Sequence, residues 1–422
     1  MPGVWLNALR TDKFRTDVLS ISLLSQLCRE TAAMNAVIPN VLLRGTTLHP
    51  DMASIGAALD ELYGASVFPV VRRIGEIQAT GFYASFAGGD YVPGGERLLS
   101  QVAALCGELL LSPATRGGLL LPAYVDSERQ KLLDRIRAQK NDKGSYALQR
   151  LIENMCAYED FSTNRLGSEA EAEAIHYQKL TRHYRELLAS APIEVFYCGC
   201  AEPDKVVQAL RTALEPLPRG ELNDDIGTDV RMNSVEEEPR YFTESMDVGQ
   251  GKLAIGWRLG ACMEEPDIAA IRVFNAVFGG SVTSKLFANV RERLSLCYYA
   301  SSSVELNKGL LVVSSGIEFD KYDAAKDEIF AQLEAVKHGE VSEAELDAAK
   351  KSVAGDLRAI ADSPLDLEGY WLSRCIEGFE CAPEELAALC ESVTLDDVVS
   401  IAGGVECDAV YFLRGKDGNP DE

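Results

Sequence analysis

Histidine is scarce in this 422-residue chain, which has four: His49, His176, His183 and His338. No H-x-x-E-H, H-E-x-x-H or other close histidine pair exists, so no helix offers two imidazoles on one face to a zinc ion. His176 and His183 stand two helical turns apart, roughly 10 Å, too far to share a metal. Basic charge is also short. Lys and Arg number 41 against 65 Asp and Glu, a net charge of −24, which argues against nucleic acid and against an anionic membrane surface. No apolar run approaches the roughly 18–20 residues of a membrane span. The segment Met1 to Arg15 is charged and has no apolar core, so no signal peptide is expected. C-x-x-C pairs are missing. The eleven cysteines are scattered, the closest being Cys198 and Cys200. An odd count without framework spacing implies free thiols and a reducing, cytoplasmic location. P-loop, nucleophile-elbow and dinucleotide motifs are absent as well. Phe278-Gly279-Gly280-Ser281 is glycine-rich but lacks the later glycine of a phosphate cradle. It reads either as a tight strand-to-helix turn or as a flexible loop touching a ligand backbone.

What the chain does contain, it contains twice. The apolar run Ile193 to Gly199 closes the first half and Asp408 to Gly415 closes the second, about 215 positions apart. A charged helix starting near Asp126 recurs from Ser342, again about 216 positions on, with Glu345 completing a capping-box spacing. Between the halves, residues 219–245 are acidic and hold Gly220 and Glu236-Glu237-Glu238-Pro239. Such a stretch cannot bury enough apolar surface to order itself and reads as a linker. The expected domains are therefore 1–218 and 246–422. In each half, strand patterns (Val67–Val71, Ile77–Phe86, Leu310–Val313) alternate with helical ones (Asp51–Tyr63, Gly94–Leu111, Tyr322–Val336). The fold class is α+β: two homologous α/β sandwiches, each a mixed, largely antiparallel sheet with helices packed on one face.

Arg291 to Tyr299 is the stretch most suited to chemistry. Arg291 and Tyr298 can present a cation and a phenol hydroxyl to one carbonyl oxygen, donors that suit a developing oxyanion. A surface arginine beside a core tyrosine would have the same spacing. Cys297 lies near Arg291 and Arg293, but no histidine is close enough in sequence to activate it, so it reads as a small buried residue.

That stretch, Leu286-Phe287-Ala288-Asn289-Val290-Arg291-Glu292-Arg293-Leu294-Ser295-Leu296-Cys297-Tyr298, resembles the L-F-x-x-[IV]-R-E-[KR]-x-[GS]-L-x-Y pattern of the insulinase/pitrilysin-type metallopeptidases, the inverzincins. The duplicated halves fit the same family. Its zinc motif, H-x-x-E-H followed by L-F-K-G-T, is matched only at its tail, by Leu42-Leu43-Arg44-Gly45-Thr46. Counting back puts Ala36 and Asn40 at the histidine positions and Pro39 at the general-base glutamate. Glu128-Arg129 matches the start of the family's third-ligand helix, which puts Arg135 at the ligand position, or Asp134 beside it if the register slips by one. All four positions are replaced by residues that cannot do the chemistry. The resemblance is thus to the zinc-free subunits of bacterial two-chain peptidases. It implies no metal on this chain, a partner chain that carries H-x-x-E-H and zinc, and a peptide substrate enclosed between the two. It further implies that Arg291 and Tyr298 act in trans on the partner's site and that Phe278, Gly279, Gly280 and Ser281 guide the peptide. On its own the chain is then not an enzyme, and it could pair with a second copy. A stand-alone peptide-binding scaffold or maturation factor is the competing expectation.

Overall fold

The computed structural model describes residues 1–260 and 265–416. Thr16–Gln26 shows how the sheets arise. Leu19, Ile21 and Leu23 alternate with Ser20 and Ser22, so the apolar set points to one face and the hydroxyls to the other. The first sheet contains β1 (Val4–Arg10), β2 (Thr16–Gln26), β3 (Ser66–Ile74), β4 (Ile77–Ala87) and β5 (Ile193–Gly199), in the order β1-β5-β2-β4-β3. The second contains β6 (Arg240–Met246), β7 (Gly251–Arg258), β8 (Cys297–Glu305), β9 (Leu310–Ile317) and β10 (Glu406–Gly415), in the order β8-β9-β7-β10-β6. The second order is the first one repeated strand for strand. In both sheets the opening strand pairs in parallel with the closing strand, and the remaining pairs are antiparallel. The chain therefore carries one topology twice.

Helices cover the apolar face of each sheet. Over the first lie α1 (Arg29–Leu42), α2 (Leu98–Leu111), α3 (Pro122–Ala138) and a further helix, Tyr177–Ser190, in one continuous core with Leu19, Ile21, Phe82 and Val195. The opposite faces are covered too, and here the sequence expectation needs correction. The chain divides into two compact units, and each borrows a helix from the other half of the sequence. Unit 1 is Met1–Arg137, Thr163–Gly227 and Ser363–Ile376; unit 2 is Ala138–Ser162, Thr228–Asp362 and the stretch from Glu377. The crossing at Gly227 lies within residues 219–245, but 138–162 and 363–376 belong to the opposite units from the halves of the sequence they sit in, and the stretch is not all linker, since Arg240–Met246 is β6.

The reason is complementary burial. The helix α4 (Lys143–Met155) has its apolar stripe, Ala147, Leu151, Ile152 and Met155, packed on Ala254, Val312 and Tyr411 of the second sheet. A Cβ on Gly256 would come within 2.5 Å of the Met155 sulfur, so glycine there lets the helix approach β7. In unit 1 the helix Pro364–Glu377, designated α5, sets Leu372 against Leu24, Ile74, Ile77 and Ala79, and its Glu368 accepts from Ser20 (2.7 Å) and pairs with Arg72. Among the described residues no helix is long and apolar enough to cross a membrane.

Candidate functional site

The positions that would hold a metal lie in unit 1, on α1 and α3. Ala36 is fully buried and has no donor atom. Pro39 sits inside α1, buried, where its ring supplies neither a base nor a backbone N–H. Asn40 turns its amide back on its own helix and donates to the Ala36 carbonyl at 3.3 Å. Arg135 is an exposed cation on α3. Glu128, one of the few acids near these positions, is buried and already bonded by Arg44 (3.3 Å) and Lys131 (2.7 Å). A zinc ion needs free lone pairs from neutral imidazole or carboxylate. These residues offer one carboxylate, already neutralised, so they do not fit the metal. Among the described residues no group of three His, Cys, Asp or Glu is placed to hold one.

Beside Ala36 there is a neutral polar network instead. Asn35 donates to Gln78 (2.9 Å) and Ser25 (3.0 Å), and its carbonyl oxygen meets His183 Nε2 at 2.6 Å. Gln78 donates to the carbonyls of Ala32 (3.1 Å) and Arg165 (2.6 Å). Burial pushes His183 below its ordinary value, so it is neutral at pH 7. The other histidines do local work: His49 bonds Glu108 (2.9 Å), His176 caps the N-terminus of Tyr177–Ser190, and His338 bonds the Glu334 carbonyl at a helix end.

The Arg291–Tyr298 stretch lies in unit 2, where the backbone is irregular three times in succession. Leu286–Arg293 is π-helical, Ser295 has φ of 48° in the left-handed region, and the β8–β9 register shifts between Cys297 and Tyr299. Such irregularities gather at functional sites because regular structure would aim the side chains elsewhere. Arg291 and Tyr298 are both exposed. The Arg291 guanidinium lies over the Phe287 ring at 4.8 Å, and the Tyr298 hydroxyl reaches Glu318 at 3.4 Å. Tyr298 stands on β8, an edge strand. Burial pushes the Cys297 thiol up, against a smaller opposing effect from Arg291, as suits an unreactive thiol. Ser295 is where the motif takes Gly or Ser, and its left-handed φ explains the preference. Replacing Ser295 by glycine is expected to stabilise the protein by about 0.5–1 kcal/mol, read as a higher thermal midpoint.

For Phe278 to Ser281, read as either a tight turn or a flexible ligand-touching loop, the structure has a close-packed helical turn. Ala276–Gly280 is a π-helical turn continuing a helix over Glu265–Asn275. Phe278 is fully buried, stacked on Phe274 (6.0 Å, 1°) and edge-on to Trp257 (6.2 Å, 90°). A Cβ on Gly279 would meet Leu286 and Ser302 at 2.6 Å. These glycines admit close packing, and only Gly280 and Ser281 reach the surface.

Comparison with known proteins matches this geometry. A family model described as "Peptidase M16 inactive domain" covers residues 174–353. A Bacillus subtilis protein described as "Probable inactive metalloprotease YmfF" is 32% identical over 418 residues, 99% of this chain and 97% of its own. The chain belongs to the M16 peptidase family.

Within M16 it is an inactive, non-catalytic homologue. Solved structures of the same fold include a conserved protein from Enterococcus faecalis (TM-score 0.89, 24% identity, 99% of this chain and 97% of that one) and an M16 inactive domain from Pseudomonas fluorescens (0.77, 15%, 99% and 96%). M16 is the insulinase/pitrilysin-type family that the sequence resembles, and the two-sandwich α+β fold agrees with it. Sequence reasoning missed the neutral Asn35–Gln78–His183 network, whose members are distant in sequence and carry no motif.

Proposed function

We propose that this M16 homologue is the non-catalytic half of a cytoplasmic two-chain zinc peptidase. It would form one wall of a peptide-binding chamber and present Arg291 and Tyr298 to the site of a homologous partner chain bearing H-x-x-E-H. The observation that carries this reading is the contrast between the two units. Unit 1 has no ligand set, whereas unit 2 keeps an exposed arginine and tyrosine on a backbone distorted in three consecutive places. Chemically, the guanidinium and the phenol hydroxyl are donors for the oxyanion of a tetrahedral intermediate. An extended peptide could add to a sheet edge through its main chain, a mode tolerant of sequence.

The test is reconstitution with a zinc-bearing M16 chain from the same organism, with turnover of an extended peptide as the readout. Arg291→Ala is expected to lower kcat about 100-fold or more, the scale of losing one oxyanion donor, and Tyr298→Phe about 10-fold or more. Assembly measured by gel filtration should be unchanged. Normal turnover in both variants would leave only the scaffold reading. Stoichiometric zinc and peptidase activity in the isolated chain would overturn both.

A further inference from the structure

A small cavity of about 10 Å³, room for one water, lies in unit 1 between the first sheet and α5, lined by Asn7, Ser22, Glu194, Glu368 and Trp371 among others. Ser22 on β2 and Glu194 on β5 are direct register partners, so their side chains share the face that α5 covers. Ser22 Oγ is buried without a hydrogen-bond partner. The Glu194 carboxylate receives one long bond, from Asn7 Nδ2 at 3.4 Å. The same Nδ2 donates to Cys375 Sγ on α5 at 3.0 Å. Asn7 is thus shared between the carboxyl and the helix.

The other charged groups on this face are committed elsewhere. On α5, Glu368 accepts from Ser20 and pairs with Arg72 of β3. Tyr83 of β4 is pushed up to about 12, chiefly by burial, and stays neutral. Trp5 of β1, opposite Glu194, and Trp371 of α5 carry no charge. Arg374 of α5 is buried over the Tyr370 ring at 5.6 Å, and among the described residues no cation is paired with Glu194, whose carboxyl burial pushes up to about 7.

The geometry points to a proton-operated latch: Glu194, Ser22 and Asn7 hold α5 on the sheet when the carboxyl is protonated and release it when the carboxyl ionises. Protonated, Glu194 donates its O–H to Ser22 Oγ, which satisfies both groups and leaves Asn7 to Cys375. Ionised, it becomes a charge-assisted acceptor that draws the Asn7 amide from Cys375 and brings water into the cavity. In the released state Glu194 is hydrated and returns toward its ordinary 4.5. The docked state holds the proton more tightly. Docking is therefore strongest below pH 4.5, weakens up to about tenfold per unit as pH rises toward 7, and is level above that.

Amide hydrogen exchange of the full chain tests this, comparing peptides spanning 364–377 with those of Glu194→Gln at each pH so that the intrinsic chemistry cancels. The wild-type to variant ratio should be near one at pH 4, rise at least severalfold by pH 7.5 and stay level to pH 8.5. A ratio constant across pH, or a rise that also covers α4, overturns the latch. Cys375→Ala serves as a second variant: it should raise exchange of the same peptides at pH 5 and shrink the pH effect, and an undiminished effect would remove Asn7 from the mechanism. None of these readouts depends on a partner chain, so the latch and the proposed function fail separately.

Discussion

Replacing Asp408 by alanine is expected to cost about 3–5 kcal/mol, the scale for leaving a buried charge without its partner. Asp408 is buried at the start of β10 and accepts from Arg258 Nε at 2.8 Å and from Arg240. Arg258, fully buried, also reaches Glu159 at 2.7 Å, and the fully buried Lys308 reaches the other Glu159 oxygen at 2.7 Å. Arg240 and Arg258 further donate to the Met155 carbonyl at the C-terminal end of α4 (2.9 and 3.4 Å), where cations are favoured by the helix dipole. Removing Asp408 takes the shared carboxylate from two guanidinium groups, leaving Arg240 without an acidic partner and Arg258 with Glu159 alone, and loosens the end of the borrowed helix. Chemical denaturation should show the loss as a lower midpoint, with Asp408→Asn falling between alanine and wild type because its oxygen still accepts. The same network sets an acid limit. Burial alone would raise the Glu159 carboxyl, but the bonds from Arg258 and Lys308 outweigh it and hold it below its ordinary 4.5. A depressed carboxyl contributes stability that is present above about pH 4.5 and is lost as pH falls through the folded value. Unit 2 should therefore loosen in acid, opposite in sign to the α5 latch of unit 1.

Truncating Phe278 to alanine is expected to destabilise unit 2 by about 3–5 kcal/mol, because a packed aromatic leaves a cavity that its neighbours fill only in part. Phe274 would lose its stacked partner and Trp257 its edge contact. Phe278→Leu should cost less than half as much. The measurement is again a denaturation midpoint, paired with turnover per folded molecule in the reconstituted peptidase. Normal turnover from the folded fraction means that Phe278 is core; lost peptide affinity with unchanged stability would return it to the substrate. The two readings separate because a core residue moves the midpoint and a contact residue moves KM.

Periodicity sufficed for much of the fold. The strand pattern of Ile77–Phe86, the capping box at Ser342 and Glu345 and the recurrence of Ile193–Gly199 in Asp408–Gly415 are local patterns, and each stands in the structure as a strand, a capped helix or a closing strand. Resemblance alone assigns Ala36, Pro39 and Asn40 to the H-x-x-E-H positions, since that motif has fixed helical spacing and Leu42–Thr46 sets its register. Phe278–Ser281 stayed open between a turn and a loop because glycines look alike whether they free a loop or admit a neighbour. The atoms that decide, Leu286 and Ser302 around Gly279 and Asn275 beside Gly280, belong to packing.

By itself, then, the sequence determined that the chain is a twice-repeated α+β protein built on a peptidase pattern without the residues to bind zinc. Short-range spacing encodes those things, because helical and strand periods place side chains before any long-range contact forms. Tertiary structure alone decided where the units divide. It sent α4 to the second sheet and α5 to the first, and it gathered Glu159, Arg240, Arg258, Lys308 and Asp408 into one buried cluster and Asn7, Ser22, Glu194 and Cys375 into another. The physical reason is that an apolar stripe or a buried charge records what it must be covered by, and not which distant segment will cover it.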